Sequence, residues 1–220
     1  MTYKVGSLFA GVGGVCLGFK QAGCKVVWAN EIDENACKTY ALNHTQTTLI
    51  KGDVRTLHDK NLAKIDILTA GFPCQPFSQA GKGRGFADPR GQLFFEIPKL
   101  LSKLSPKAYF LENVKTLATQ SGGAVFAAVR EALVGAGYSF IPFVLNAAAH
   151  SGVPQGRERI YIVGFRGEVG YFFAKTTKSN SNSSEFFGKF CEKFTQKLEF
   201  FSKFGKNSQS REFCAFFKFR

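Results

Sequence analysis

Short apolar runs alternate with amphipathic stretches along the first three quarters of the chain. The runs end at glycine, proline or polar residues, which is typical of buried strands, and the stretches between them have helical spacing. The predicted strands are Tyr3–Phe9, Lys25–Asn30, Thr48–Ile50, Ile65–Ala70, Ala108–Leu111, Phe140–Asn146 and Ile160–Phe165. The predicted helices are Val15–Ala22, Asn35–Asn43, Leu93–Leu104 and Gly122–Ala136. This alternation predicts a doubly wound α/β fold with a mostly parallel sheet.

Glycine and acidic residues follow the first three predicted strands. The turn Ala10-Gly-Val-Gly-Gly14 allows a ligand to approach the backbone and directs the positive end of the next helix toward it. Cys16 replaces the third glycine of the dinucleotide fingerprint, so a plain tight turn explains these glycines equally well. Glu31 stands where nucleotide-binding folds keep an acid for the ribose hydroxyls. Asp53 can accept a hydrogen bond from an adenine amino group or simply cap a turn.

A cysteine follows the fourth predicted strand, within Gly71-Phe-Pro-Cys-Gln-Pro-Phe-Ser78. Gly71 and Pro73 stop the strand, so Cys74 is held on a rigid turn at the carboxyl end of the strand. A lone cysteine is more often a buried structural residue, but the neighbouring residues favour a nucleophile. The segment Ser78 to Gln92 combines glycines with Lys and Arg, and we expect it to be irregular and mobile.

Further charged residues border the later strands. Glu112 ends an apolar strand, where partial desolvation favours the neutral, proton-bearing carboxyl. Arg157 and Arg159 occupy alternate positions before the last strand and should face one ligand. These residues are therefore candidates for binding and protonating a substrate.

Composition narrows the class of protein. The 220 residues, 45% of them hydrophobic, suffice for one domain with an appendage. Neither a membrane span nor a leader peptide is recognisable, and the six cysteines show no zinc-binding or disulfide spacing. We expect a soluble, cytoplasmic protein with free thiols and no metal. The net charge of +13 indicates a polyanionic partner.

The motifs resemble, in order and spacing over residues 3–166, those of the DNA cytosine-5 methyltransferases. The resemblance implies a Rossmann-like fold of the S-adenosylmethionine-dependent type. It also implies methyl transfer from S-adenosylmethionine to C5 of a flipped-out cytosine in double-stranded DNA, as in a bacterial restriction-modification system. The family often has an Asp where this chain has Ser7.

The resemblance also implies a role for each site residue. Cys74 would attack cytosine C6, Glu112 would donate a proton to N3, and Arg159 would contact the base and the nucleophile. Arg157 would lie nearer the DNA backbone, and the segment after Cys74 would close over the site. The implied cofactor-binding residues are Phe9, Gly11, Val12, Gly14, Glu31, Ile32, Asp53, Val54, Pro73 and Leu93.

Residues 167–220 differ from the rest of the chain. They hold 13 of the 25 phenylalanines and a Ser/Asn run, and they read as a low-complexity tail in which no target-recognition region is identifiable. We therefore expect residues 1–166 to form the catalytic domain, with little sequence-specific activity alone and a possible second polypeptide supplying recognition.

Three alternative functions remain open from the sequence. The chain could be a dinucleotide-dependent oxidoreductase, a transfer-RNA cytosine-5 methyltransferase, or a methyltransferase half that is inactive alone.

Overall fold

A seven-stranded sheet forms the centre of the computed structural model, which describes residues 2–77, 85–150 and 154–167. The strands are β1 (Lys4–Leu8), β2 (Lys25–Glu31), β3 (Thr48–Lys51), β4 (Ile67–Ala70), β5 (Ala108–Val114), β6 (Ile141–Asn146) and β7 (Glu158–Phe165). Their order is β3-β2-β1-β4-β5-β7-β6. Neighbours from β3 to β5 are parallel, whereas β7 runs antiparallel to β5 and β6.

Helices cover both faces of the sheet. The α-helices are α1 (Gly14–Gln21), α2 (Glu34–Asn43), α3 (Pro89–Gln92), α4 (Glu96–Leu104), α5 (Ala124–Gly135) and α6 (Ala147–His150). Phe19 of α1 and Tyr40 of α2 are buried in one apolar cluster, whereas Leu100 of α4 and Leu133 of α5 are buried in another. This arrangement confirms the doubly wound α/β prediction. Within the described ranges, no helix has both the length and the apolar character needed to cross a membrane.

The topology creates a crevice between β1 and β4. The chain adds β2 and β3 on one side of β1, and then adds β4 and β5 on the other side. Open α/β sheets bind ligands at such a switch point, beyond the carboxyl ends of the strands. The glycine turn follows β1 and the Cys74 turn follows β4, so the fold brings the two strongest sequence motifs together.

Strand β5 is longer than the sequence predicts. Its predicted end was Leu111, because polar residues follow, but the strand continues to Val114. Antiparallel β7 supplies partners along the whole of β5, including Tyr161 opposite Glu112 and Arg159 opposite Val114. Glu112 and Arg159 therefore lie within strands, where backbone hydrogen bonds restrict their movement.

The segment after Cys74 corrects a second prediction. Residues 85–92 are not irregular, because Gly85–Ala87 forms a 3₁₀ turn and α3 follows it. Asp88 caps α3 by accepting a hydrogen bond from the Arg90 amide, which stabilises so short a helix. The expected mobility of residues 78–84, like the predicted tail from residue 168 onward, lies outside the described residues.

Gly164 controls the fit between β7 and the core. A Cβ there would lie 2.1 Å from the Ser139 carbonyl oxygen and 2.2 Å from the Tyr109 ring. We expect Gly164→Ala to destabilise the protein by about 1–3 kcal/mol and to lower Tm by several degrees. Gly156→Ala is the matched control, because its Cβ would meet no atom within 4 Å. Equal melting temperatures of the two variants by differential scanning calorimetry would contradict this packing.

Candidate active site

A cavity of about 240 Å³ lies at the carboxyl ends of β1 to β4. Most of the predicted cofactor residues line it, namely Phe9, Glu31, Ile32, Asp53, Val54, Pro73 and Leu93. Asn30, Gly52 and Gly71 also line it and were not predicted. The sequence signal for Asn30 was available, since it is a polar residue at the end of an apolar strand, directly before Glu31.

The other three predicted cofactor residues are Gly11, Val12 and Gly14. They belong to the glycine turn and are not among the residues that line the cavity. The Gly11 amide donates a hydrogen bond to Glu31 Oε2 at 2.7 Å, which joins the turn to the cavity. Val12 is exposed, and a Cβ at Gly11 or Gly14 would meet no protein atom within 4 Å. The turn therefore flanks the cavity and leaves open space for a ligand.

Backbone amides hold the Glu31 carboxylate in place. Ile32 N and Asp33 N donate to Oε1 at 2.8 and 2.9 Å, while Gly11 N binds Oε2. A carboxylate oxygen has two acceptor positions, so Oε1 is fully occupied, whereas Oε2 can still accept one hydrogen bond from a ligand. The buried Asn30 amide supports this edge by donating to the carbonyls of Ile50 and Gly52, at 3.0 and 2.9 Å.

Asp53 lines the cavity, but its carboxylate already has a partner. Arg55 Nε lies 3.0 Å from Oδ1 and 3.1 Å from Oδ2, and the Arg55 amide donates to Oδ1 at 2.9 Å. Hydrogen bonds from the Arg55 side chain and backbone lower the pKa of Asp53. An adenine amino group would therefore have to share this carboxylate with Arg55, which the sequence prediction did not anticipate.

The half-buried Cys74 lies on a loop that is anchored by a distant segment. The Phe77 amide donates to the Cys74 carbonyl at 2.9 Å, forming a tight turn. Three side chains from the end of β5 and the turns beyond it donate to other carbonyls of the same loop. These hydrogen bonds are Asn113 Nδ2 to Phe72 O (3.1 Å), Thr116 Oγ1 to Phe77 O (2.8 Å) and Gln120 Nε2 to Pro76 O (3.0 Å). The position of the thiol thus depends on side chains that sequence reasoning did not identify.

Glu112 forms an ion pair beside that loop. Its Oε1 lies 3.0 Å from Arg159 Nε, and its Oε2 lies 3.6 Å from where a Cβ of Gly71 would be. Burial raises the pKa of Glu112, although the charges of Arg159 and Arg157 act in the opposite direction. The carboxyl is therefore easier to protonate than an ordinary glutamate, as the sequence suggested. Both arginines lie close enough for their charges to act on this carboxyl.

The family comparison covers most of the chain. Residues 3–211 match the family described as C-5 cytosine-specific DNA methylase. The chain belongs to this family. The membership confirms the resemblance identified from the motifs around Cys74 and Glu112.

Curated Type II methyltransferases resemble the chain over part of their length. Type II methyltransferase M.HaeII of Haemophilus aegyptius is 47% identical over 79% of this chain and 54% of that protein. Type II methyltransferase M.NgoBI of Neisseria gonorrhoeae is 46% identical over 78% of this chain and 53% of that protein. The chain thus spans about half the length of the curated relatives it matches.

Solved structures share the same methylase fold. An Escherichia coli prophage protein described as a DNA modification methyltransferase has a TM-score of 0.63 at 29% identity, over 83% of this chain and 50% of that chain. The S. pombe Dnmt2 methyltransferase has a TM-score of 0.57 at 22% identity, over 83% of this chain and 56% of that one. The second likeness supports the Rossmann-like fold alone.

Proposed function

We propose that this chain transfers a methyl group from S-adenosylmethionine to C5 of cytosine in double-stranded DNA, as part of a bacterial restriction-modification system. The observation that carries the proposal is the proximity of two features. The Cys74 loop follows β4, and Glu112 lies on the adjacent strand β5, where it forms the ion pair with Arg159. Gly71 of the same loop lines the cavity and lies beside the Glu112 carboxyl. A nucleophile, a protonable carboxyl and a cofactor cavity are thus combined at one edge of the sheet.

The residues around the cavity fit S-adenosylmethionine. Glu31 Oε2 retains acceptor capacity for a ribose hydroxyl, and a Cβ at Gly11 or Gly52 would project into open space. Ile32, Val54 and Leu93 provide apolar surface, and Asp53 provides an acceptor for the adenine amino group that Arg55 would share. When bound there, the cofactor would supply an electrophilic methyl group. Family membership supports the choice of this cofactor over a nicotinamide dinucleotide.

The protein residues would activate a carbon that is otherwise a poor nucleophile. The Cys74 thiolate forms a bond to C6, the C5–C6 double bond opens, and Glu112 gives its proton to N3. C5 then has enamine character and can accept the methyl group. A base then removes the C5 proton and the C6–sulfur bond breaks, which restores the aromatic ring and the Cys74 thiolate. N3 returns its proton to Glu112, which becomes neutral again. Arg159 holds the carboxyl in position throughout.

Access to C5 and C6 requires the base to leave the stacked duplex. Enzymes that act on these atoms extrude the target nucleotide into a pocket, and positive charge along the backbone offsets part of the cost. The net charge of +13 supports a DNA partner, and we propose that the exposed Arg157 contacts a phosphate near the extruded base. We propose that the base-reading elements lie outside residues 3–166, either later in the polypeptide or on a second one.

Transfer of tritiated methyl groups from S-adenosylmethionine tests this function. The substrates are duplex DNA and transfer RNA, and the chain is assayed alone and mixed with the separately expressed C-terminal half of M.HaeII. We expect incorporation into DNA, weak for the chain alone and stronger in the mixture. Incorporation confined to transfer RNA would favour the alternative substrate. Cofactor binding without incorporation in any arm would refute the proposal.

Glu31 should be sensitive to removal of a single acceptor. In Glu31→Gln an amide NH₂ faces backbone N–H groups, either that of Gly11 or those of Ile32 and Asp33. We expect the Kd for S-adenosylmethionine to rise about tenfold or more, because an unmatched donor is added where a charged acceptor is lost. Isothermal titration calorimetry measures the change. Glu34→Gln is the control, since Glu34 is exposed on α2, and equal affinities for the two variants would contradict the role of Glu31.

A further inference from the structure

The glycine turn beside the cavity packs against a buried histidine. Gly13 has a φ of 96°, and a Cβ there would lie 2.1 Å from His44 Nε2. His44 follows α2 and is 4% exposed, so its ring occupies the space behind the turn. Two features therefore require glycine at position 13: its left-handed backbone conformation, and the imidazole that occupies the space a Cβ would need.

Hydrogen bonds determine which ring nitrogen carries the proton. Lys20 Nζ lies 2.9 Å from His44 Nδ1, and a charged lysine can only donate, so Nδ1 is an acceptor. Nε2 then carries the hydrogen and faces the Gly13 backbone, 2.1 Å from where a Cβ of that residue would be. One face of the ring stacks on Tyr40, with centroids 4.3 Å apart. Neutral His44 thus links α1, α2 and the glycine turn.

The glycine turn is hydrogen-bonded to two residues that line the cavity. The Gly11 amide binds the Glu31 carboxylate at 2.7 Å, and the Ala10 amide donates to the Asn30 carbonyl at 3.0 Å. A displacement of the turn would therefore move or release Glu31. No such role is apparent from the sequence, in which His44 is an isolated histidine after a helix.

We propose that neutral His44 is a positioning residue that sets the conformation of residues 10–14 and, through Glu31, the affinity for S-adenosylmethionine. This inference rests on the proposed function for the identity of the ligand. The contacts of His44 with Gly13 can be tested separately from that ligand.

The site makes cofactor affinity depend on pH. The charged and titratable side chains around the ring are Lys20 of α1 and Tyr40 of α2, with Cys16 of α1 beside the Tyr40 hydroxyl. Protonation of Nδ1 would remove the acceptor for Lys20 and bring two positive charges together. Burial, and then the charge of Lys20, lower the pKa of His44. The stabilising contacts of neutral His44 are therefore fully present above the ordinary histidine pKa of about 6.5 and are lost as the pH falls through the lowered pKa of the folded state.

Cofactor titrations of four variants between pH 7.5 and 5.5 test the proposal. His44→Ala should weaken S-adenosylmethionine binding about tenfold at pH 7.5. His44→Gln keeps a donor near the Nε2 position but cannot become charged, so it should bind within about threefold of the wild type and lose the decline at low pH. Lys20→Met removes the positive neighbour, so the decline should begin at higher pH. Leu42→Ala, on the exposed side of α2, is the control and should follow the wild type.

Hydrogen exchange of the ligand-free chain provides a measurement that does not need the cofactor. Protection factors for amides 10–17, corrected for intrinsic pH effects, should fall in His44→Ala and in the wild type at pH 5.5, but not in His44→Gln. If wild type does not bind S-adenosylmethionine, the proposed function fails and exchange alone decides the role of His44. Unchanged protection of the turn in His44→Ala, or a pH profile that His44→Gln and Lys20→Met leave unaltered, would overturn the proposal.

Discussion

Cys74→Ser is expected to abolish methyl transfer while leaving DNA and cofactor binding unchanged. A serine hydroxyl is far less acidic and less nucleophilic than a thiol, so it cannot add to cytosine C6 at a useful rate. We expect the rate of transfer to fall by a factor on the order of 10⁴ or more. The tritiated-methyl assay measures this rate, while fluorescence anisotropy and calorimetry follow the binding of DNA and S-adenosylmethionine.

Cys24→Ser is the matched control for Cys74→Ser. Burial raises the pKa of Cys24 to about 11, so this thiol is protonated at neutral pH and has no role in the proposed chemistry. DNA containing 5-fluorocytosine gives a second readout, because fluorine at C5 cannot leave as a proton does and the adduct accumulates. Wild type and Cys24→Ser should form a denaturation-resistant complex with this DNA. Full turnover by Cys74→Ser would remove Cys74 from the mechanism.

Glu112→Gln is expected to lose activity without losing cofactor affinity. Glutamine fits the same space and can donate a hydrogen bond to N3, but it cannot transfer a proton. We expect kcat to fall by about 10²–10⁴. In the wild type, the proton-bearing fraction of Glu112 falls as pH rises through its raised pKa, which gives the rate profile an alkaline limb. That limb should be absent from the residual activity of Glu112→Gln.

The stability of Glu112→Gln should change in the opposite sense to its activity. Burial raises the pKa of Glu112 despite Arg159, so the folded state binds a proton more tightly than the unfolded state. The ionised carboxyl therefore destabilises the fold at neutral pH, and the wild type regains stability as the pH falls through the raised pKa. Glu112→Gln should melt at the same or a higher temperature at pH 7.5, with exposed Glu131→Gln as control. A large loss of Tm would show that the Arg159 ion pair dominates instead.

The sequence predicts the parts of the fold that depend on local pattern. The strands that end near Leu8, Asn30 and Ala70 were recognisable because apolar runs stop at glycine or polar residues. The residues that follow them line the cavity because the carboxyl ends of parallel strands lie at the same edge of the sheet. The end of β5 depended instead on antiparallel β7, about 45 residues away along the chain, and no local pattern encodes that pairing.

The candidate site shows the same division between local and distant information. Cys74, Glu112 and Arg159 were identified from motifs, whereas the hydrogen bonds of Asn113 and Gln120 to the Cys74 loop are contacts between distant segments. The Arg55 contact with Asp53 is local, yet two residues of opposite charge near a turn have many possible arrangements. Side-chain partners are chosen by packing in three dimensions, which a single sequence does not display.

The anchoring of the Cys74 loop has a consequence for protein engineering. The carbonyls of Phe72 and Phe77 are held by side chains from residues 113–120, which belong to the next strand and the turns beyond it. The smallest unit that could be grafted onto another scaffold is therefore a pair of discontinuous segments together with the spacing of the two parallel strands that carry them. A graft of residues 71–77 alone would reproduce the motif but leave its thiol without a defined direction.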